Sequence, residues 1–271
     1  MSIDHQQAGS STRPPALLAA VGVVCAAVVT TVVAAFGAGA GGGTSVSEAA
    51  SGWFAADATP LAPATTAFSI WSVIYIGLFG YAILQLLPSR RSEPRQRGVR
   101  PWAVASMVLN ALWLWAAQAG WIGASLLVII ALLAVLCVLF RRLRASAPRD
   151  VWEAVLVDGT FGLYLGWVSV AVVANTASWL GSVGAADWGW PVAAAAGVIL
   201  GVVAVVGVVL ASAGGRLAPG AAMAWGLAWI AVGRLEGPDA DTGVAVAARA
   251  AAAVVVIATV AARVRHARAA A

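Results

Sequence analysis

Residues 101–140 read PWAVASMVLNALWLWAAQAGWIGASLLVIIALLAVLCVLF. Two apolar runs, each close to the roughly 20 residues that a helix needs to cross a hydrocarbon core, are separated by AQAGW alone. So short a link makes the runs antiparallel neighbours, and the stretch reads as a tight transmembrane hairpin. It also raises a question of chemistry. Lipid tails offer Asn110 no hydrogen-bond partner, and the interior of a span has no need of the indoles of Trp113 and Trp115. Those side chains are either packing and interfacial anchors or one wall of a binding surface.

The rest of the chain has the same apolar character. Its 271 residues are 62% hydrophobic and 10% charged, against about 25% charged in a soluble domain, and mean hydropathy is +0.91. The expected fold class is all-α: a polytopic membrane helix bundle of about eight transmembrane helices. Candidate spans fall at 16–37, 66–88, 101–119, 122–141, 152–178, 190–211, 218–235 and 243–263. The first is followed by AAFGAGA, whose small residues would suit signal cleavage, but its apolar run of about 21 residues exceeds the 7–15 of a usual signal. It is read as a retained span.

Charge placement supports this count. All 16 basic residues are arginines. Arg90, Arg91, Arg95, Arg97 and Arg100 separate spans two and three; Arg141, Arg142, Arg144 and Arg149 separate four and five; Arg216 separates six and seven. Arg263, Arg265 and Arg268 follow the last span. The alternate loops hold Glu48, Asp57, Asp187, Glu236, Asp239 and Asp241, with only Arg234 among them. By the positive-inside rule both termini are cytoplasmic, and the expected location is a bacterial cytoplasmic membrane. The segments are a cytoplasmic tail 1–15, a five-helix region 16–180 with an outer loop 38–65, three further helices 181–263, and a basic cytoplasmic tail 264–271.

The net charge of +5 and the pI near 10.2 do not imply nucleic-acid binding, because the arginines sit in short loops between spans. Cys25 and Cys137 lie in apolar runs, where cysteine behaves as a small hydrophobe. His5 and His266 have no neighbouring ligand set, so no metal is expected. Without a Ser–His–Asp set, a Walker loop or a metal motif, familiar hydrolytic or metal chemistry is disfavoured.

Suspicious polar and aromatic residues concentrate in spans two, three and five. FSIWSVIY sets Trp71 and Tyr75 one turn apart on one helix face, and Asn110 and Trp113 share a face of span three, from which Trp115 points away. In span five Tyr164, Trp167, Ala171 and Asn175 form one stripe. From helix rise, Trp71 and Trp113 lie roughly 10 Å below the outer end. Three aromatic faces could converge in the outer half of the bilayer beneath the 38–65 loop, or the indoles could simply pack. Trp102, Trp121, Trp152, Trp179, Trp188 and Trp190 sit near span ends, as aromatic belts do. Asp158 and Arg249 are ionisable residues inside spans, which marks them as functional candidates. They are too far apart in depth to pair; Arg249 could snorkel outward or meet Glu236, and Asp158 has a proton or ligand role as one reading. Gly162 and Gly166, and Gly197 and Gly201, have the spacing of close helix contacts, or are background glycine.

Three of these stretches together resemble the TspO/MBR family, the bacterial tryptophan-rich sensory proteins and the mitochondrial translocator protein. GWFAADATPLAPATTAFSIWSVIY (52–75) is similar to the family's first loop and second helix, LNALW (109–113) to its N-x-x-W, and YLGWVSVAVVAN (164–175) to its Y-x-x-W-V-S-x-A-x-x-x-N. The departures are a Lys-Pro-Pro segment reduced to Thr59-Pro60, a Phe68 one residue closer to Trp71, a leucine (Leu163) in place of a proline, and three helices beyond the usual five. The resemblance implies a receptor for porphyrins, haem-like tetrapyrroles or sterols, with Trp71, Tyr75, Asn110, Trp113, Tyr164, Trp167 and Asn175 around the ligand. It implies no required cofactor, a tetrapyrrole being a ligand instead, and a homodimer is left open as an assembly. A transporter or permease for an apolar or amphipathic substrate, and a membrane enzyme of isoprenoid or tetrapyrrole metabolism, are the other classes.

Overall fold

The computed structural model describes residues 14–37, 48, 50–189, 191–212, 214–235 and 240–269. Among them there is no strand, and eight long helices carry the fold. They are α1 (Pro14–Gly37), α2 (Ile70–Leu86), α3 (Pro94–Gln118), α4 (Ile122–Arg144), α5 (Thr160–Ser182), α6 (Val192–Ser212), α7 (Leu217–Gly233) and α8 (Thr242–Ala269). Most of the N-terminal tail, residues 38–47 of the outer loop, Trp190, Glu236 and Asp239 lie outside the described residues.

Among the described residues six helices are long and apolar enough to cross a membrane. The two outside that set are α3, diluted by Asn110, Gln118 and its tryptophans, and α7. At 17 residues α7 is about 25 Å long, somewhat short of a hydrocarbon core of about 30 Å.

Local sequence explains the boundaries. At the α3–α4 turn the Gly120 N–H donates to the Ala117 carbonyl (3.1 Å) and the Trp121 N–H to the Ala116 carbonyl (2.9 Å). Gly120 sits at φ +75°. This is the six-to-one and five-to-two pairing that ends a helix on a left-handed residue, and glycine is the residue that adopts it without strain. Pro94 opens α3 at a position where its missing N–H costs nothing. Asp150 accepts from the backbone N–H of Glu153 (3.0 Å) and so caps a short helical turn, Val151–Glu153. That turn runs through a π-helical segment, Ala154–Gly159, into α5.

α5 is the central element. In the continuous span Val151–Ser182, 67% of the most apolar window is buried, against 22–39% for the other candidate spans. Leu165, Trp167 and Val168 face a core shared with α1 to α4. Val170 belongs to a second core built with α6, α7 and α8. Of the last three helices, α7 docks extensively onto α5, α6 touches it lightly, and α8 packs on α6 and α7. Gly166 lies so close to α7 that a methyl group there would run into the Pro219 carbonyl, and Gly162 meets Ala218 and Pro219 of the same helix. By contrast, Gly197 and Gly201 of α6 have open space around them. Of the two glycine pairs, only the α5 pair makes a close helix contact.

Candidate functional site

The stripes of α2, α3 and α5 meet. Trp71 stacks on Tyr75 with ring centroids 5.3 Å apart and planes 18° from parallel. The same indole meets Tyr164 edge-on at 5.5 Å and Trp167 at 6.3 Å. Phe68 adds an edge contact to Trp167 at 5.7 Å. These spacings lie in the 4.5–7 Å range of favourable aromatic pairs, about 0.5–1.5 kcal/mol each beyond burial.

The polar residues join the same cluster. The Asn110 amide donates to the Tyr75 hydroxyl (2.9 Å), and Tyr164 donates its hydroxyl to the Ser106 carbonyl (3.2 Å). Trp113 donates its indole N–H to the Asn175 side-chain oxygen (2.8 Å), and the Asn175 amide donates to the Ser125 hydroxyl (3.1 Å). All seven aromatic and amide residues singled out in the sequence thus gather between α2, α3 and α5. Trp115 faces outward, 54% exposed, against Trp121. Ser125 was not among the candidates. It lies on α4, and an isolated serine in an apolar run carries no sequence signal.

Two polar atoms in this cluster are buried without a partner: the Trp167 indole nitrogen and the Asn110 side-chain oxygen. Rotating the Asn110 amide would only exchange which of its atoms is left over. Trp167 borders a narrow cleft that Phe54, Pro63, Phe68, Trp113 and Asn175 also line. Its volume is about 40 Å³, room for little more than a water molecule. Of its lining residues, Phe54 and Pro63 come from the loop ahead of α2.

A second, larger cavity has a volume of about 420 Å³. Its walls come from the loop segment 58–61, the outer end of α5 and the start of α6.

At the arginine-rich end, Asp158 is not a lone charge. Arg95 donates to both its oxygens (2.9 Å each), and Arg216, just ahead of α7, donates to one of them. Arg95 also bonds Glu153 (2.6 Å), as does the Gln96 amide (2.6 Å). Gln85 donates to Gln96 (2.6 Å) and accepts from Arg100 (2.8 Å), which extends the network to α2. Asp150, outside the spans, accepts from Arg90. Its carboxyl is held below the usual carboxylate range by the Glu153 backbone N–H and then by the Arg90 guanidinium. From the sequence, Arg95 and Arg216 read as loop charges, because nothing in their spacing shows that they fold back onto a span. Arg249 is exposed on α8, and its suggested partner Glu236 lies outside the described residues. Among the described residues no group of histidine, cysteine and carboxylate side chains could hold a metal ion.

Comparison with known proteins places this architecture. No curated protein and no solved structure matches the chain. The family model described as TSPO-like protein matches residues 17–261. That match begins in α1 and runs into α8, taking in the three helices beyond residue 180 along with the first five, and so the chain belongs to the TSPO-like protein family.

Proposed function

We propose that this membrane protein is a receptor or carrier that holds a flat apolar ligand, a porphyrin, haem-like tetrapyrrole or sterol, against the Trp71–Tyr75–Tyr164–Trp167 cluster. Membership of the TSPO-like family and the multi-span helical bundle support the receptor or carrier class. The observation that carries the ligand reading is the unpartnered indole N–H of Trp167 at the edge of the cleft. A buried donor left unsatisfied costs about 1–3 kcal/mol, and a ligand acceptor above it would recover that cost. The surrounding rings supply the apolar faces, and a few placed polar groups amid apolar walls are what ligand sites usually show. Entry requires the loop to move, because the cleft it helps to line, through Phe54 and Pro63, holds only about 40 Å³.

The test is a titration of the purified protein with protoporphyrin, followed by tryptophan fluorescence. Quenching saturates at low stoichiometry. Trp113→Leu and Trp167→Leu weaken binding by roughly several-fold to tenfold, the equivalent of one lost aromatic contact. Trp115→Leu, on the outward face of α3, leaves it unchanged. Quenching that never saturates, or three variants that bind alike, returns the indoles to packing.

A further inference from the structure

We infer that the 420 Å³ cavity between the loop, α5 and α6 is a second ligand site, one that takes an uncharged lipid alcohol with a long aliphatic or isoprenoid tail. The volume falls within the range of about 300–1,000 Å³ typical of small-molecule pockets. Among the described residues the cavity shares no lining residue with the aromatic cleft, and it does not depend on what that cluster binds.

Its chemistry selects the ligand. Leu61, Val173, Leu180, Ala196 and Ile199 provide aliphatic walls, and among the described residues Trp53 is the one aromatic ring. Trp53 closes one side by lying over Gly181, where any β-carbon would collide with the indole. Among the described residues no charged side chain lines the space, so a charged headgroup would be desolvated with no described partner to compensate it. Thr59 provides the polar contact. It is 6% exposed, it lines the cavity, and its hydroxyl has no hydrogen-bond partner. The other lining hydroxyl, Thr176, donates to the Val172 carbonyl (2.8 Å) and keeps only acceptor capacity. One buried, unpartnered hydroxyl in the wall of a mostly apolar space fits a single hydroxyl head on an apolar tail. Ala195, Ala196 and Ile199 of α6 add to the walls that the loop and α5 provide.

The test uses radiolabelled geranylgeraniol and the full-length protein in nanodiscs of zwitterionic phospholipid. The alcohol binds saturably in the presence of excess phospholipid, and saturating protoporphyrin does not displace it. Ala196→Leu, which fills the cavity from α6, reduces affinity at least tenfold. Thr59→Val keeps the shape and removes the hydroxyl; it weakens binding by about three- to tenfold. The corresponding hydrocarbon, without a hydroxyl, binds the wild type and Thr59→Val equally. Thr59→Val keeps the side-chain volume, so it still reads the site should Ala196→Leu fail to fold. Three outcomes overturn the inference: Thr59→Val binding the alcohol as wild type does, displacement by protoporphyrin, or occupancy by phospholipid that the alcohol cannot displace.

Discussion

Asp158 has two guanidinium partners, and the arrangement is asymmetric. Arg95 approaches from the start of α3, and Arg216 from the link between α6 and α7, so one carboxylate ties both to α5. Side-chain exposures of 8% for Asp158 and Arg95 and 21% for Arg216 leave little water to replace a lost partner. Removing one partner from a buried pair costs roughly 3–5 kcal/mol, chiefly because the other charge is left uncompensated. Asp158→Asn is therefore expected to lower thermal stability in detergent by about 3 kcal/mol, with the two arginines left facing a neutral amide. Arg216→Met costs less, because Arg95 still pairs with the carboxylate, and the double variant recovers part of the loss of Asp158→Asn. A melting temperature unchanged by Asp158→Asn would show that the pairings carry no stability. The sequence marks Asp158 as exceptional but not the reason, since its partners are distant in the chain.

At the scale of elements, α5 is held on both sides, and its glycines belong to one of them. The face carrying Gly162 and Gly166 meets α7, whereas Tyr164 and Trp167 turn toward α2 and α3. The π-helical segment Ala154–Gly159 just before it buries Val157 and Asp158. Such single π-turns inside helices are frequent at functional positions. Gly166→Ala would push a methyl group into the backbone of α7, which side-chain rotation cannot relieve. It is expected to destabilise by about 1–3 kcal/mol, as overpacking does. Gly197→Ala on α6 meets open space and is expected to be neutral or slightly stabilising, since alanine is the better helix former. Thermal unfolding of the two variants side by side checks the contrast, and equal effects would overturn the assigned contact. The glycine spacing is the same in both helices, so spacing alone could not separate them.

For the whole molecule, the open quantity is orientation. Arginines occupy the links between α2 and α3, α4 and α5, and α6 and α7, together with the C-terminal end of α8. By the positive-inside rule those links are expected on the cytoplasmic side. Ser92 and Ser146 are exposed in two of these links, and Ser51 is exposed in the outer loop. Cysteines placed one at a time, with Cys25 and Cys137 replaced, should react with an impermeant thiol reagent in intact cells at Ser51 and not at Ser92 or Ser146. Strong labelling at Ser92 would invert or break the eight-helix arrangement.

What the sequence determined by itself is what periodicity and composition encode locally. The membrane bundle, the α3–α4 hairpin and the helical stripes bearing Trp71, Asn110, Trp113, Trp167 and Asn175 were all legible, because a residue's face on a helix follows from its spacing. The outward turn of Trp115 was legible for the same reason. Only the tertiary structure decided contacts between residues far apart in the chain. It brought Ser125 to Asn175 and folded Arg95 and Arg216 onto Asp158. It chose Gly166 over Gly197 as the close contact, and it brought the start of α6 and Thr59 together in the walls of the second cavity. Each of these depends on how whole helices dock, and docking is fixed by the fit of many side chains at once rather than by any motif along the chain.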